Sequence, residues 1–338
     1  MVTALAFVLV FGLLTTFHEV GHFTVAKLMG IRVEEFGIGF GTQIFSHKRG
    51  ETLYSLRLLP LGGFVKMSGE DTPAPSDARS YNNKSVLTRI AVIAAGPFMN
   101  LVLAVILFGL IFFISGVPEQ APLVGGIIAD SPAQGAGLQI GDEVLSINGQ
   151  EVETWEQMAL SIQEGAGERI RLTVARQDET FIVELRPEPD PETGINLIGV
   201  ERVIRRYRPL TSVYYGFLQT VEAAIFIITM LAGMITGRIA PELSGPVGII
   251  QTVGEAARTG FLDVLFLAAI LSINIALFNF FPIPMLDGGQ LLFLTVEGIR
   301  GKPLRPEQEG FFRFIGILLL LLLLVAVTYS DITRLLLS

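Results

Sequence analysis

Charged positions leave four stretches of this chain empty: residues 1–17, 90–117, 264–286 and 314–330. Each is long enough to cross a bilayer, or nearly so once its flanks are added. A fifth stretch, 209–237, is broken only by Glu222. Residues 31–66 alternate apolar and polar positions around repeated glycines and read as a β-hairpin lying close to the membrane. Between 121 and 188, short apolar runs are divided by turn signals at Ser131-Pro132, Gly137, Gly141-Asp142 and Asn148-Gly149. There Thr154 and Gln157 form a capping box opening a helix over 154–163, and two alternating strands flank a turn at Gln177-Asp178-Glu179. This island is one compact α/β module.

The first apolar stretch continues through His18, Glu19 and His22, which spell HEVGH. Positions i and i+4 share a helix face, so the two imidazoles point the same way, as one zinc ion requires, with Glu19 beside them as general base. Ionisable groups at membrane depth are expensive and point to function. A third ligand must come from another segment at the same depth. Asp287, in FNFFPIPMLDGG at the end of 264–286, is the best placed. Pro282 and Pro284 break the helical ladder there, and Gly288 and Gly289 allow close backbone approach. Such irregular backbone fits a water-lined cavity. Asn274 and Asn279 in the same segment are candidates for positioning substrate, or equally for joining helices. His47, in a charged stretch, reads as solvated.

His18, His22 and Asp287 meet only if 264–286 runs in the same direction as the first span, which needs an even number of crossings before it. Residues 209–261 are therefore expected to be interfacial amphipathic helices, leaving four spans. Loops 30–89 and 298–310 are rich in Lys and Arg, so they face the cytoplasm, with both termini and the module outside.

Composition agrees. Of 338 residues, 51% are hydrophobic and 17% charged, as in a membrane protein. A net charge of −8 argues against nucleic acid, and the absence of Cys leaves His, Asp and Glu as the metal ligands. The N-terminus lacks a basic region and an A-x-A-like site, so it is expected to stay as a span.

SPAQGAGLQIGDEVLSINGQEV, within 131–152, closely resembles a PDZ domain, a module that captures extended peptides by strand addition. HEVGH, NFFPIPMLDGG and this insertion together resemble the site-2 protease family of intramembrane zinc metalloproteases, in its bacterial RseP-type branch. AAGPFMN (94–100), LSGPVGI (243–249), FGIGFG (36–41) and LPLGGFVKMSGE (59–70) extend the resemblance along the chain. Several relatives carry two tandem PDZ domains, and here there is room for one.

The resemblance implies a polytopic α-helical membrane protein of four transmembrane helices, with an inserted PDZ-like α/β domain and a membrane-associated β-hairpin element. Its parts are spans at 1–29, 90–117, 262–297 and 311–332, a cytoplasmic-side loop at 30–89, an extracytoplasmic region at 118–208, interfacial helices at 209–261 and a loop at 298–310. It implies one Zn2+ on His18, His22 and Asp287, with Glu19 as base. Asn274, Asn279, Pro282 and Pro284 are expected to position substrate. The implied substrates are single-span proteins of the bacterial inner membrane, such as anti-sigma factors and remnant signal peptides, already cut by an upstream site-1 protease. An edge of the β element, within 53–58, is expected to bind the unwound substrate. A non-catalytic PDZ-bearing adaptor is the alternative, against which the intact four-residue site speaks. A metal transporter would show internal repeats, and none is found.

Overall fold

The structure, a computed structural model, describes residues 2–70, 77–165, 167–177, 179–190, 194–240 and 245–337, without the side chains of 61, 306 and 334–337. Asp178 of the expected turn and residues 243–244 of LSGPVGI lie outside the described residues. The chain divides into two units, residues 1–111 with 213–338 and residues 112–212. The elements in chain order are α1 (Val2–Leu28), β1 (Val33–Arg49), β2 (Thr52–Met67), α2 (Val86–Ser115), β3 (Val117–Pro118), β4 (Val124–Ile127), α3 (Pro132–Gly135), β5 (Glu143–Ile147), β6 (Gln150–Glu151) and α4 (Trp155–Glu164). There follow β7 (Ile170–Arg176), β8 (Glu179–Leu185), β9 (Glu188–Pro189), β10 (Asn196–Leu197), β11 (Val200–Arg202), β12 (Ile204–Arg205), α5 (Pro209–Ile235), α6 (Pro246–Thr259), α7 (Phe261–Phe280), α8 (Asp287–Arg300) and α9 (Pro306–Leu337).

In the first unit, α1 ends in a Schellman motif. The Ile31 N–H donates to Ala26 O at 2.8 Å and the Gly30 N–H to Lys27 O at 3.1 Å, with Gly30 at φ 68°. Ile31 is thereby buried against Ala26, Val33, Met67, Val92, Ile93 and Leu294 in a core shared by α1, the start of β1, the end of β2, α2 and α8. This core lies beneath the His18–His22 turn.

Strands β1 and β2 form more than a hairpin. Residues 43–49 pair antiparallel with 52–57, as do residues 35–40 with 59–66. Glu35, Phe36, Gly37 and Ile38 also face Leu53, Tyr54, Ser55 and Leu56 in step, a parallel alignment. Two long strands therefore make four rows in the order 43–49, 52–57, 33–40, 59–67. The row 53–57 has neighbours on both sides, so the edge expected within 53–58 is paired, and the outer rows are 43–49 and 59–67, the latter beside α1. The tip is tied down by Glu51, which accepts bonds from Lys27 Nζ and Arg79 Nη1, both at 2.7 Å. Arg79 first, and then Lys27, hold the Glu51 carboxyl down to about 2.

Contacts along the helices fix their directions. His22 meets Val92, Gly21 meets Ala95 and His18 meets Asn100, so α2 is antiparallel to α1. Phe266 packs on Phe108, and Ser272 bonds to Asn100, so α7 is antiparallel to α2. Helices α1 and α7 thus run the same way. Among the described residues, five helices, α1, α2, α5, α7 and α9, are long and apolar enough to cross a membrane, one more by length and apolarity than the four spans expected from sequence. The region 209–261, expected to hold interfacial helices, folds as the 27-residue α5 and the 14-residue α6.

The second unit packs a four-stranded sheet, in the order β6-β5-β7-β8, over a core that includes Val144, Ile147, Met158, Ile162, Leu172 and Val174. A separate antiparallel pair joins β11 to β4. Thr154 Oγ1 caps α4 by accepting from the Gln157 N–H, and the Gln157 side chain accepts from the Glu153 N–H. Asp142 is fully buried. Burial alone would raise its carboxyl, but bonds from Arg176 Nε (2.7 Å) and the Gln139 N–H (2.8 Å) hold it below the usual carboxylate range.

Candidate metal centre

The site begins with the helical repeat of α1. His18 and His22 lie one turn apart, and their Nε2 atoms are 3.1 Å from each other. Asp287 Oδ2 lies 2.9 Å from His18 Nε2 and 3.5 Å from His22 Nε2. Four ligands at about 2.05 Å from a tetrahedral zinc stand about 3.3 Å apart. The three separations scatter around that edge length.

Chemistry points the same way. His22 Nδ1 is 2.9 Å from the Val92 carbonyl, an acceptor only, so the proton sits on Nδ1 and Nε2 presents a lone pair. Asp287 Oδ2 is buried and has no hydrogen-bond partner among the described residues, despite its short approach to His18. Lone pairs converging in a buried place are reconciled by a cation, and the residues present fit a zinc ion.

Each donor is placed by a local feature of the chain. Pro282 cannot continue the ladder, and α7 stops at Phe280. The chain then turns through Met285, at φ 83°, and re-enters helix at Asp287. A Cβ on Gly288 would stand 2.0 Å from Phe281 O, and one on Gly289 2.5 Å from Ile283 O, so only glycines let this turn fold onto α8. Pro284 packs against Gly316 of α9.

Small residues also bring α2 over the histidines. A Cβ on Gly21 would meet Ala95 O at 2.2 Å, and one on Gly96 would meet His22 Nε2 at 2.3 Å and His18 Nε2 at 2.8 Å. Next to His18, Glu19 lies against β2, where a Cβ on Gly63 would be 3.0 Å from its Cγ.

The structure therefore brings His18, His22 and Asp287 together, with all their ligand atoms within 4.8 Å of one another, and sets Glu19 beside them. Asn279 spends its amide on Ile275 O of its own helix at 2.9 Å, and Asn274 is half-buried in α7. Pro282 and Pro284 act on the backbone that carries Asp287. His47 is exposed on β1. Sequence reasoning passed over the Val92 carbonyl, Gly96 and Asn100, whose amide nitrogen is 3.3 Å from His18 Nδ1. The signal for two of them was in AAGPFMN, which sets an Asn and a Gly in an apolar span.

A family model described as Peptidase family M50 matches residues 6–323. Zinc metalloprotease RasP of Bacillus licheniformis is 34% identical over 99% of this chain and 100% of its own length. Regulator of sigma-W protease RasP of Bacillus subtilis is 34% identical over 98% of this chain and 99% of its own. A putative zinc metalloprotease of Clostridium acetobutylicum is 38% identical, covering 96% of each chain. Among solved structures, the PDZ domain of an SdrC-like protein from Listeria monocytogenes covers 26% of this chain and 92% of its own at 19% identity, with a TM-score of 0.23.

Proposed function

This chain belongs to peptidase family M50 and is a multi-pass membrane zinc metalloprotease of the site-2 type, and from that premise we propose that His18, His22 and Asp287 hold the zinc and Glu19 serves the hydrolytic water. The observation that carries the assignment is the convergence of three lone-pair donors, His22 buried and His18 and Asp287 largely so, with a carboxylate at the residue after His18. Three protein ligands leave one position open, as catalytic zinc sites require. A zinc ion bound there supplies Lewis-acid polarisation and an acidified water. Glu19 takes the water proton on its carboxylate and returns it to the leaving amine.

The substrate class follows from the position of the site. A transmembrane helix conceals its peptide bonds in its own ladder and must be unwound before attack. The row 59–67 of β2 is an outer row and lies beside α1, with Gly63 next to Glu19 and Pro60 O near Gly12. An unwound segment adding to that edge brings its backbone to the site. Asn274 and Asn279 are assigned to substrate positioning with the turn at Pro282 and Pro284. The substrates are single-span membrane proteins such as anti-sigma factors and remnant signal peptides, previously cut by another protease. The module over 117–205 is read as the PDZ domain that meets the trimmed end.

Four crossings, α1, α2, α7 and α9, are supported by helix direction. Helix α2 ends on the side where α1 starts, and α7 starts on that same side, so residues 116–260 contribute an even number of crossings. Helix α6, about 21 Å long, is too short to return a crossing made by α5 and carries Glu255 and Arg258. On this reading α5 lies along the membrane surface and does not cross. The basic loops support a reading with the metal centre towards the cytoplasm and the PDZ module and both termini outside the inner membrane.

The test is cleavage of a model single-span substrate in membranes. Glu19→Gln is expected to keep its zinc and lose activity by about 10²–10⁴-fold. Cleavage that survives this change excludes Glu19 as base.

A further inference from the structure

The two histidines differ in what stands behind them. His22 has the Val92 carbonyl at its Nδ1, an acceptor by nature. His18 has the amide of Asn100, at 3.3 Å from its Nδ1. Asn100 is fully buried in α2, and its Oδ1 has no hydrogen-bond partner among the described residues. Buried polar atoms are seldom left unmatched.

We infer that Asn100 is a positioning residue whose Oδ1 accepts the Nδ1 proton of His18 and so fixes the tautomer that turns a lone pair on Nε2 to the metal. The inference rests on the reading of His18 as a zinc ligand. His18 Nε2 is the nitrogen that faces His22 and Asp287. A neutral imidazole carries one proton, so a lone pair on Nε2 puts that proton on Nδ1, where it needs an acceptor. The two ends of an amide are alike in shape and exchange by a half-turn, so hydrogen bonding decides between them. With the amide nitrogen towards His18, donor faces donor and Oδ1 stays unmatched. With Oδ1 there, the Nδ1 proton of His18 gains an acceptor and Oδ1 gains a donor.

The backbone of Asn100 is held as firmly as its side chain. Its carbonyl accepts from Ser272 Oγ at 2.7 Å, and Ser272 is also fully buried. One residue of α2 therefore orients His18 and is bonded to α7, the helix whose following turn delivers Asp287. Val92 and Asn100 stand on either side of Gly96, so α2 carries the outer partner of each histidine on the face that covers them.

The experiment is zinc retention by the full-length protein in detergent, titrated against EDTA, with circular dichroism to verify folding. Asn100→Asp keeps an acceptor of the same shape and removes the amide donor. Asn100→Leu keeps the approximate volume and removes both. The expected result is a 10–100-fold loss of zinc affinity in Asn100→Leu, and affinity equal to or above wild type in Asn100→Asp. Wild-type affinity in Asn100→Leu overturns the inference. So does a loss in Asn100→Asp as large as that in Asn100→Leu, which would mean that the amide donates or merely joins helices. If Asn100→Leu does not fold, Asn100→Asp decides alone: retained zinc supports the inference and lost zinc overturns it. His18→Ala separates the two levels. Zinc bound at wild-type affinity without His18 defeats the metal-site reading itself, whereas zinc lost there and kept in Asn100→Leu defeats only the role of Asn100.

Discussion

A methyl group on Gly96 would stand between the two imidazoles. Helix propensity favours Ala over Gly by about 1 kcal/mol, so Gly96→Ala should stabilise an isolated α2. Packing decides otherwise, because the added carbon would lie 2.3 Å from His22 Nε2 and 2.8 Å from His18 Nε2. The His22 ring cannot swing aside without breaking its bond to the Val92 carbonyl. Overpacking of this kind costs about 1–3 kcal/mol. Gly96→Ala is therefore expected to lower zinc affinity at least tenfold and to reduce the thermal midpoint, read by metal analysis and thermal unfolding. At this scale the pairing of His18 with His22 was legible in the sequence, because HEVGH carries its geometry in its spacing, and the structure adds Asp287 to the cluster. Asn100 was less so, since an Asn in an apolar helix is read as helix-joining until its neighbour is known.

At the scale of the element, the β1–β2 sheet shows what a periodic pattern conveys. Alternation over 31–66 identified strands, and a hairpin is the nearest fold that local pairing allows. Gly39, Gly41 and Gly62, with φ of 87°, 86° and 97°, bend the strands so that each supplies two rows. The parallel alignment of 35–38 with 53–56 depends on that bend and leaves no trace in period two. It pairs the row 53–57 on both sides and leaves 59–67 as the edge beside α1. Proline placed singly at 63, 64, 65 and 66 is expected to lower cleavage tenfold or more at the positions whose N–H faces outward, with zinc content unchanged. Proline within 53–57 is expected instead to destabilise the sheet, since both sides are paired. Full activity across 63–66 would rule out this edge as the substrate platform. Zinc content and cleavage measured on the same membranes distinguish the two effects.

For the molecule as a whole, sequence hydropathy could not decide whether α5 crosses, because a mostly apolar helix of 27 residues satisfies any length rule. The shared direction of α1 and α7 supports the proposal that it does not. The chain has no Cys, so single cysteines report topology directly. Arg238→Cys, between α5 and α6, is expected to react with a membrane-impermeant thiol reagent from outside intact cells, as Asp130→Cys does. Lys302→Cys, between α8 and α9, is expected to react only after the membrane is opened. Protection of Arg238→Cys until opening would make α5 a crossing helix and break the parity argument.

The long separation of the ligands in sequence has a consequence for biosynthesis. His18 and His22 enter the membrane with α1, whereas Asp287 lies beyond α7. At roughly 5–20 residues per second the ribosome needs on the order of tens of seconds to reach it. On the proposed assignment, the nascent chain holds throughout that interval two of three ligands and the base but no complete centre, so a protease that cuts inside membranes stays inert beside other newly inserted proteins until Asp287 has followed.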